Sequence, residues 1–195
     1  MKDIYIIILN YNQKYLTTEC INSILNSTYV NYKILVVDNG SNDGSVGYLK
    51  KIFKGKIDLI INSNNYGFSK GNNIGIKYAL EHGFEYLFLI NNDTILHEKC
   101  IEILYDRAKK EKLYSFYCPK IFYHDNPEIL WYAGGDINLR KPNGVVHYGF
   151  NEKDSIKYDK DREISFANGC AIFCHQDTFV NHGMLAENFF MYSED

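Results

Sequence analysis

Along the first half of the chain, continuous apolar runs alternate with stretches whose apolar residues recur at helical spacing. Residues 4–9 (IYIIIL) and 32–37 (YKILVV) are apolar runs with the pattern of buried strands, and 57–61 (IDLII) and 84–90 (FEYLFLI) read as a third and a fourth strand. Between them, Leu16, Cys20, Ile21, Ile24 and Leu25 mark a first helix, and the turn cluster at 38–45 opens a second that runs through Phe53. A third helix runs to His82 and is closed by Gly83, while Ile101, Leu104, Tyr105 and Ala108 mark a fourth. Strand and helix in strict alternation predict an α/β/α sandwich around a mainly parallel central sheet, in which ligands bind beyond the carboxyl ends of the strands. Asn10-Tyr11-Asn12, the 38–45 cluster (DNGSNDGS), the Gly- and Asn-rich segment 62–71 and Asn91-Asn92-Asp93 all fall at such ends.

After residue 112 the pattern changes to shorter strand-like stretches at 114–123, 129–137, 145–150 and 164–173, with a polar, exposed connection over 153–162. There is no internal repeat and no low-complexity tract. The prediction is one domain over 1–195, with 113–195 extending the α/β unit of 1–112.

Composition narrows the partners. A chain of 195 residues buries roughly 70% of its unfolded surface in one core. Net charge is −3 with both signs interspersed, so there is no field to hold a polyanion, and nucleic acid is excluded as a partner. The Lys-rich stretch 50–56 reads as a solvated helix end. The 17 Tyr and 12 Phe exceed ordinary core use, and some are expected to line a binding face, since sugar rings lay apolar C–H faces on aromatics. Five cysteines (Cys20, Cys100, Cys118, Cys170, Cys174) without a C-x-x-C pair point to a reducing compartment, with Cys170 and Cys174 expected on one side of a strand. The sequence enters its first strand without a charged-then-apolar leader, and no apolar run approaches the ~20 residues needed to cross a bilayer. The expected location is cytoplasmic, with any membrane contact peripheral at the inner face.

Five stretches resemble, in order, the family-2 glycosyltransferases of the GT-A fold, in particular their bacterial rhamnosyltransferase-like branch: IIILNYN at 6–12, VVDNGSNDGS at 36–45, NNYGFSKGNNIGI at 64–76, LINNDT at 89–94 and ENFFMYSED at 187–195. The resemblance covers nearly the whole chain. It implies a nucleotide-binding half (1–112), a half for donor sugar and acceptor (113–195), and transfer of a sugar from a UDP- or dTDP-sugar to a saccharide or lipid-linked saccharide in surface polysaccharide synthesis. Related enzymes continue with acceptor-facing helices, so the expectation is a fragment whose donor site is whole.

The resemblance also implies roles. Asp38, ending the second strand, would accept the imino N–H of uracil or thymine, with Tyr11 lying against the base. Gly67 lets the backbone approach the nucleotide, and Asn72, Asn73 and Asn92 are expected to bond base, ribose or phosphate. Asp93 would be the one carboxylate holding Mg²⁺ or Mn²⁺ against the diphosphate, since Asn91 stands where a fuller motif has aspartate. Asp195 would be the general base, with Glu194 as alternative or support. Trp131, Gly134 and Gly135 resemble a loop near the donor sugar, and Asn168 and Gly169 a strand beneath the acceptor. Leu185-Ala186-Glu187 departs from the family's F-D-E. His147 and His175 read as surface or core histidines. Two other readings share these features: a sugar-nucleotide nucleotidyltransferase, disfavoured because 10–14 (NYNQK) lacks a Gly- and Arg-rich phosphate loop, and a non-catalytic carbohydrate-binding module.

Overall fold

A computed structural model describes residues 3–111, 116–140 and 144–190. The α/β unit comprises β1 (Ile4–Asn10), α1 (Lys14–Leu25), β2 (Tyr32–Asp38), α2 (Ser45–Ile52), β3 (Asp58–Ile61), α3 (Gly67–Glu81), β4 (Tyr86–Asn91) and α4 (Cys100–Lys110), as the periodicity predicts. β1 pairs in parallel with β2 and with β4, and β2 with β3.

Alternation along β1 explains its unbroken apolar run. Ile4, Ile6 and Ile8 pack with Cys20, Ile21 and Ile24 of α1, Leu49 of α2 and Ile101 and Leu104 of α4, all in one buried cluster. Tyr5 and Ile7 point the other way, into a second cluster with Ile76 and Ala79 of α3. Each such buried aliphatic side chain contributes about 1.5–3 kcal/mol, so a strand covered on both faces anchors both layers.

α3 lies unusually close to the sheet. A Cβ on Gly71 would stand 2.5 Å from Leu9 Cδ1, and one on Gly75 2.6 Å from Ile7 Cγ2. Four residues apart, the two glycines form one stripe facing β1, and the close approach offsets the roughly 1 kcal/mol that each costs relative to alanine in a helix.

The second half is built of smaller pieces: β5 (Ile121–Tyr123), β6 (Asn126–Tyr132), β7 (Gly135–Ile137), β8 (Val145–His147), β9 (Glu152–Lys153), a 3₁₀ turn at Ile156–Tyr158, β10 (Ala171–His175) and α5 (Asp177–His182). The apolar stretch 129–137 becomes two strands, because Gly134 at φ +107° breaks the extended run. β5, β6 and β9 form one small antiparallel sheet, β7 and β8 another. β10 returns to the main sheet antiparallel to β4, giving the order β10-β4-β1-β2-β3. Cys174 is buried on β10, and Cys170 directly precedes the strand and lines a cavity. Among the described residues, no helix is long and apolar enough to cross a membrane.

Candidate functional site: a cavity over the carboxyl ends of β1 and β4

A cavity of about 1960 Å³ opens where β1 and β4 end, between the main sheet and the small sheets of the second half. Tyr11, Gly67, Asn92, Asp93, Trp131, Gly134, Asn168 and Gly169 line it, so eight residues named from sequence, drawn from five separate stretches, meet in one place. Phe116, Tyr117, Phe122, Tyr158 and Phe166 add aromatic walls.

Beneath the cavity runs a buried chain of hydrogen bonds. Asn92 Nδ2 donates to Thr17 Oγ1 (3.0 Å) and Gln13 Oε1 (2.9 Å), and Thr17 Oγ1 donates to Asn10 Oδ1 (2.7 Å). Asn10 Nδ2 in turn donates to Asp38 Oδ2 (2.7 Å) and Ser41 Oγ (3.2 Å). The Ser41 backbone N–H donates to Asp38 Oδ1 (2.9 Å), and Asn12, at φ +55°, accepts from the backbone of Asn42 at 2.8 Å. The tips of β4, β1 and β2 are thereby tied into one polar floor.

Asp38 belongs to that floor and not to the cavity wall. Its side chain is fully buried and both its oxygens are engaged. The expectation that it projects beside Asp93 from a neighbouring strand is corrected, since β1 lies between β2 and β4. Strand parity is the reason: Ile34 and Val36 face the α1 side, so Asp38 does too. The next residue, Asn39, lines the cavity. Asn39 Oδ1 accepts from Asn62 Nδ2 (3.0 Å) and Tyr66 N–H (3.2 Å), and its Nδ2 donates to Asn65 Oδ1 (2.8 Å) and the Gly67 carbonyl (3.1 Å). With every polar site used, Asn39 shapes the loop that leads into α3.

That loop presents Asn65, whose Oδ1 also accepts from Gly67 N–H (2.9 Å), leaving its Nδ2 without a partner among the described residues. Gln13, Asn39, Asn65 and Phe68 all line the cavity, and none was singled out from sequence. Parity of Leu35 and Val37 toward α3 is the signal that would have found Asn39.

Three other expectations also fall away from the wall. Asn72 Nδ2 donates to the Phe68 carbonyl one turn back (3.0 Å). Asn73 is buried and turned to residues 185–187. Gly135 packs on Phe166 and Val146. Glu194 and Asp195 lie outside the described residues.

Asp93 is exposed, borders the cavity, and has no hydrogen bond or ion pair among the described residues. Its charge is felt nearby: burial, then Asp93, push the Cys170 thiol up to about 12. Among the described residues, no three His, Cys, Asp or Glu side chains are grouped to hold a metal ion. A free carboxylate of this kind fits as one hard ligand of a divalent cation whose remaining ligands come from a diphosphate and water.

Comparison with known proteins agrees with the fold. The chain belongs to the family described as Glycosyl transferase family 2, whose sequence model matches residues 5–183. It is 25% identical over its full length to the low-salt glycan biosynthesis hexosyltransferase Agl10 of Haloferax volcanii, covering 60% of that protein. It is 31% identical over 55% of its length to glycosyltransferase GlyG of Streptococcus pneumoniae, covering 36% of it. To the poly(ribitol-phosphate) beta-N-acetylglucosaminyltransferase TarP of Staphylococcus aureus it is 30% identical over 56% of its length, covering 34%. The chain thus spans between about a third and three fifths of these relatives. Among solved structures, S. aureus TarS 1–349 superposes over the whole chain with a TM-score of 0.69 at 15% identity, covering 52% of that chain. The Pyrobaculum calidifontis mannosyltransferase PcManGT, solved with GDP-Man and Mn²⁺, superposes over 95% of this chain with a TM-score of 0.61 at 13% identity, covering 48% of its own. These two similarities define the fold as that of GT-A glycosyltransferases.

Proposed function

We propose that this domain binds the donor and carries the chemistry of an inverting glycosyltransferase, moving a sugar from a UDP- or dTDP-sugar to a hydroxyl of a saccharide or lipid-linked saccharide acceptor. The observation that carries the reading is the unpartnered Asp93 carboxylate at the mouth of a cavity that also gathers Tyr11, Gly67, Asn92 and Trp131. The resemblance to the rhamnosyltransferase-like branch keeps dTDP-sugars beside UDP-sugars as donors. The likeness to TarP, named for poly(ribitol-phosphate), supports surface polysaccharide synthesis as the setting, with any membrane contact peripheral at the inner face.

In this reading Tyr11 supplies a face for the base, Asn65 Nδ2 donates to a pyrimidine carbonyl, Asp38 acts from below by holding Asn10, the residue before Tyr11, and Asn39 shapes the loop that carries Asn65. Asp93 would hold Mg²⁺ or Mn²⁺, which when bound neutralises charge on the diphosphate. Asp195, with Glu194 as alternative or support, takes the proton of the acceptor hydroxyl as its oxygen bonds to the sugar C1 from the face opposite the leaving group. The C1–O bond to the diphosphate breaks, and its electron pair leaves with the nucleoside diphosphate.

Calorimetric titration with UDP and dTDP, with and without Mn²⁺, tests the reading. Metal-dependent binding that Asp93→Ala weakens about tenfold, the loss of one charge-assisted contact, supports it. A protein that binds carbohydrate and ignores both nucleotides is a binding module, and the reading fails.

A further inference from the structure

Asn73 sits in the second turn of α3 with its side chain turned away from the cavity and 2% of its surface exposed. Its amide grips a distant part of the chain. Oδ1 accepts from the Leu185 backbone N–H (3.1 Å), and Nδ2 donates to the Leu185 carbonyl (2.9 Å) and to Glu187 Oε1 (3.0 Å). Both polar groups of one residue's backbone are thus satisfied by one side chain, much as a strand neighbour would do.

A second attachment lies about one and a half turns nearer the start of the same helix. The Phe190 carbonyl accepts from the Phe68 N–H (2.8 Å), taking up one of the donors that a helix start leaves unpaired. Gly67, at φ +81°, makes the approach possible, since a Cβ there would collide with the Phe190 carbonyl. Leu185 meanwhile packs on the core cluster beneath α3. Residues 185–190 therefore run along α3 toward its N-terminus and deliver Phe190 to Gly67 and Phe68, two residues of the cavity wall.

We infer that Asn73 is a positioning residue for the reaction: by clasping Leu185 and Glu187 it fixes residues 185–190 along α3 and holds Phe190 at the cavity wall, five positions before Asp195 in the sequence. The inference rests on the proposed role of Glu194 or Asp195 as base. It departs from the expectation that Asn73 touches nucleotide, because both its amide N–H groups and one acceptor site of its Oδ1 are spent on the clasp.

The test uses the full-length protein with whichever of UDP-GlcNAc, UDP-glucose, dTDP-rhamnose and GDP-mannose the wild type consumes. Misplacing a reacting group by about an ångström costs on the order of 100-fold, so Asn73→Ala should lower kcat roughly 10- to 100-fold while UDP affinity, read by calorimetry, changes less than about threefold. Glu187→Ala removes the clasp from its exposed end without touching the core, and keeps the test open should Asn73→Ala fold poorly. It should lower kcat by a smaller factor, and the double variant should be no worse than Asn73→Ala alone. Hydrogen exchange at amides 185–190 should quicken in both alanine variants. Unchanged kcat, or UDP affinity falling in step with kcat, overturns the positioning role and leaves the transferase reading standing. A wild type that consumes none of the four donors removes both.

Discussion

Asn10 at the tip of β1 donates to Asp38 at the tip of β2 over 2.7 Å, and neither side chain reaches solvent. A carboxylate that sequence places at the ligand is a structural member one layer down.

Asp38→Ala should therefore act first on stability. It strands Asn10 Nδ2 and the Ser41 N–H in a buried site, and leaving such donors unpaired costs about 1–3 kcal/mol each. Urea unfolding of the variant at neutral pH checks this. A variant as stable as the parent but unable to bind nucleotide would return Asp38 to the cavity wall.

Asn65→Asp separates two functions of one side chain. The carboxylate still accepts from Gly67 N–H and Asn39 Nδ2, so the loop and the unfolding midpoint should be retained. The cavity-facing donor is lost, and UDP affinity should fall by roughly tenfold, as for a hydrogen bond of about 1.4 kcal/mol. Equal affinity of parent and variant would remove Asn65 from base recognition.

Asp136 gives a pH signature far from the floor. Hydrogen bonds from the Tyr148 hydroxyl and then from Ser165 hold its carboxyl below the usual 3.8. A carboxyl depressed in the folded state stabilises above its unfolded value, and that stabilisation is lost as pH falls through the folded one. Tyr148→Phe should be less stable than the parent at pH 7, with the gap narrowing as pH falls below the usual carboxyl value of 3.8. A gap that stays constant down to pH 2 would show that the hydroxyl acts without the charge.

The α/β order was legible because each central strand is covered on both faces and each helix carries one apolar stripe, so 4–9 and 84–90 could be nothing but buried strands. The location of the site was equally legible, because turn residues at 10–12, 62–71 and 91–93 fall at strand ends. What the one-dimensional pattern left open was which side a polar residue takes at such an end. Parity decides it, sending Asp38 toward α1 and Asn39 toward α3, and parity is read only once the strand's last paired residue is known. Asn73 was hidden for another reason: its partners Leu185 and Glu187 are more than 110 residues away, and no local spacing announces them. In the second half, strands of two or three residues such as β7 and β9 bury too little to imprint a period.

The bonded floor from Asn92 to Ser41 has a consequence for how a ligand arrives. Its amides and hydroxyls already satisfy one another, so on the proposed reading a nucleotide would find the β1 and β2 loop tips in place and would spend none of its affinity on freezing them. Ligand entry and exit would then proceed over a bed that is already built.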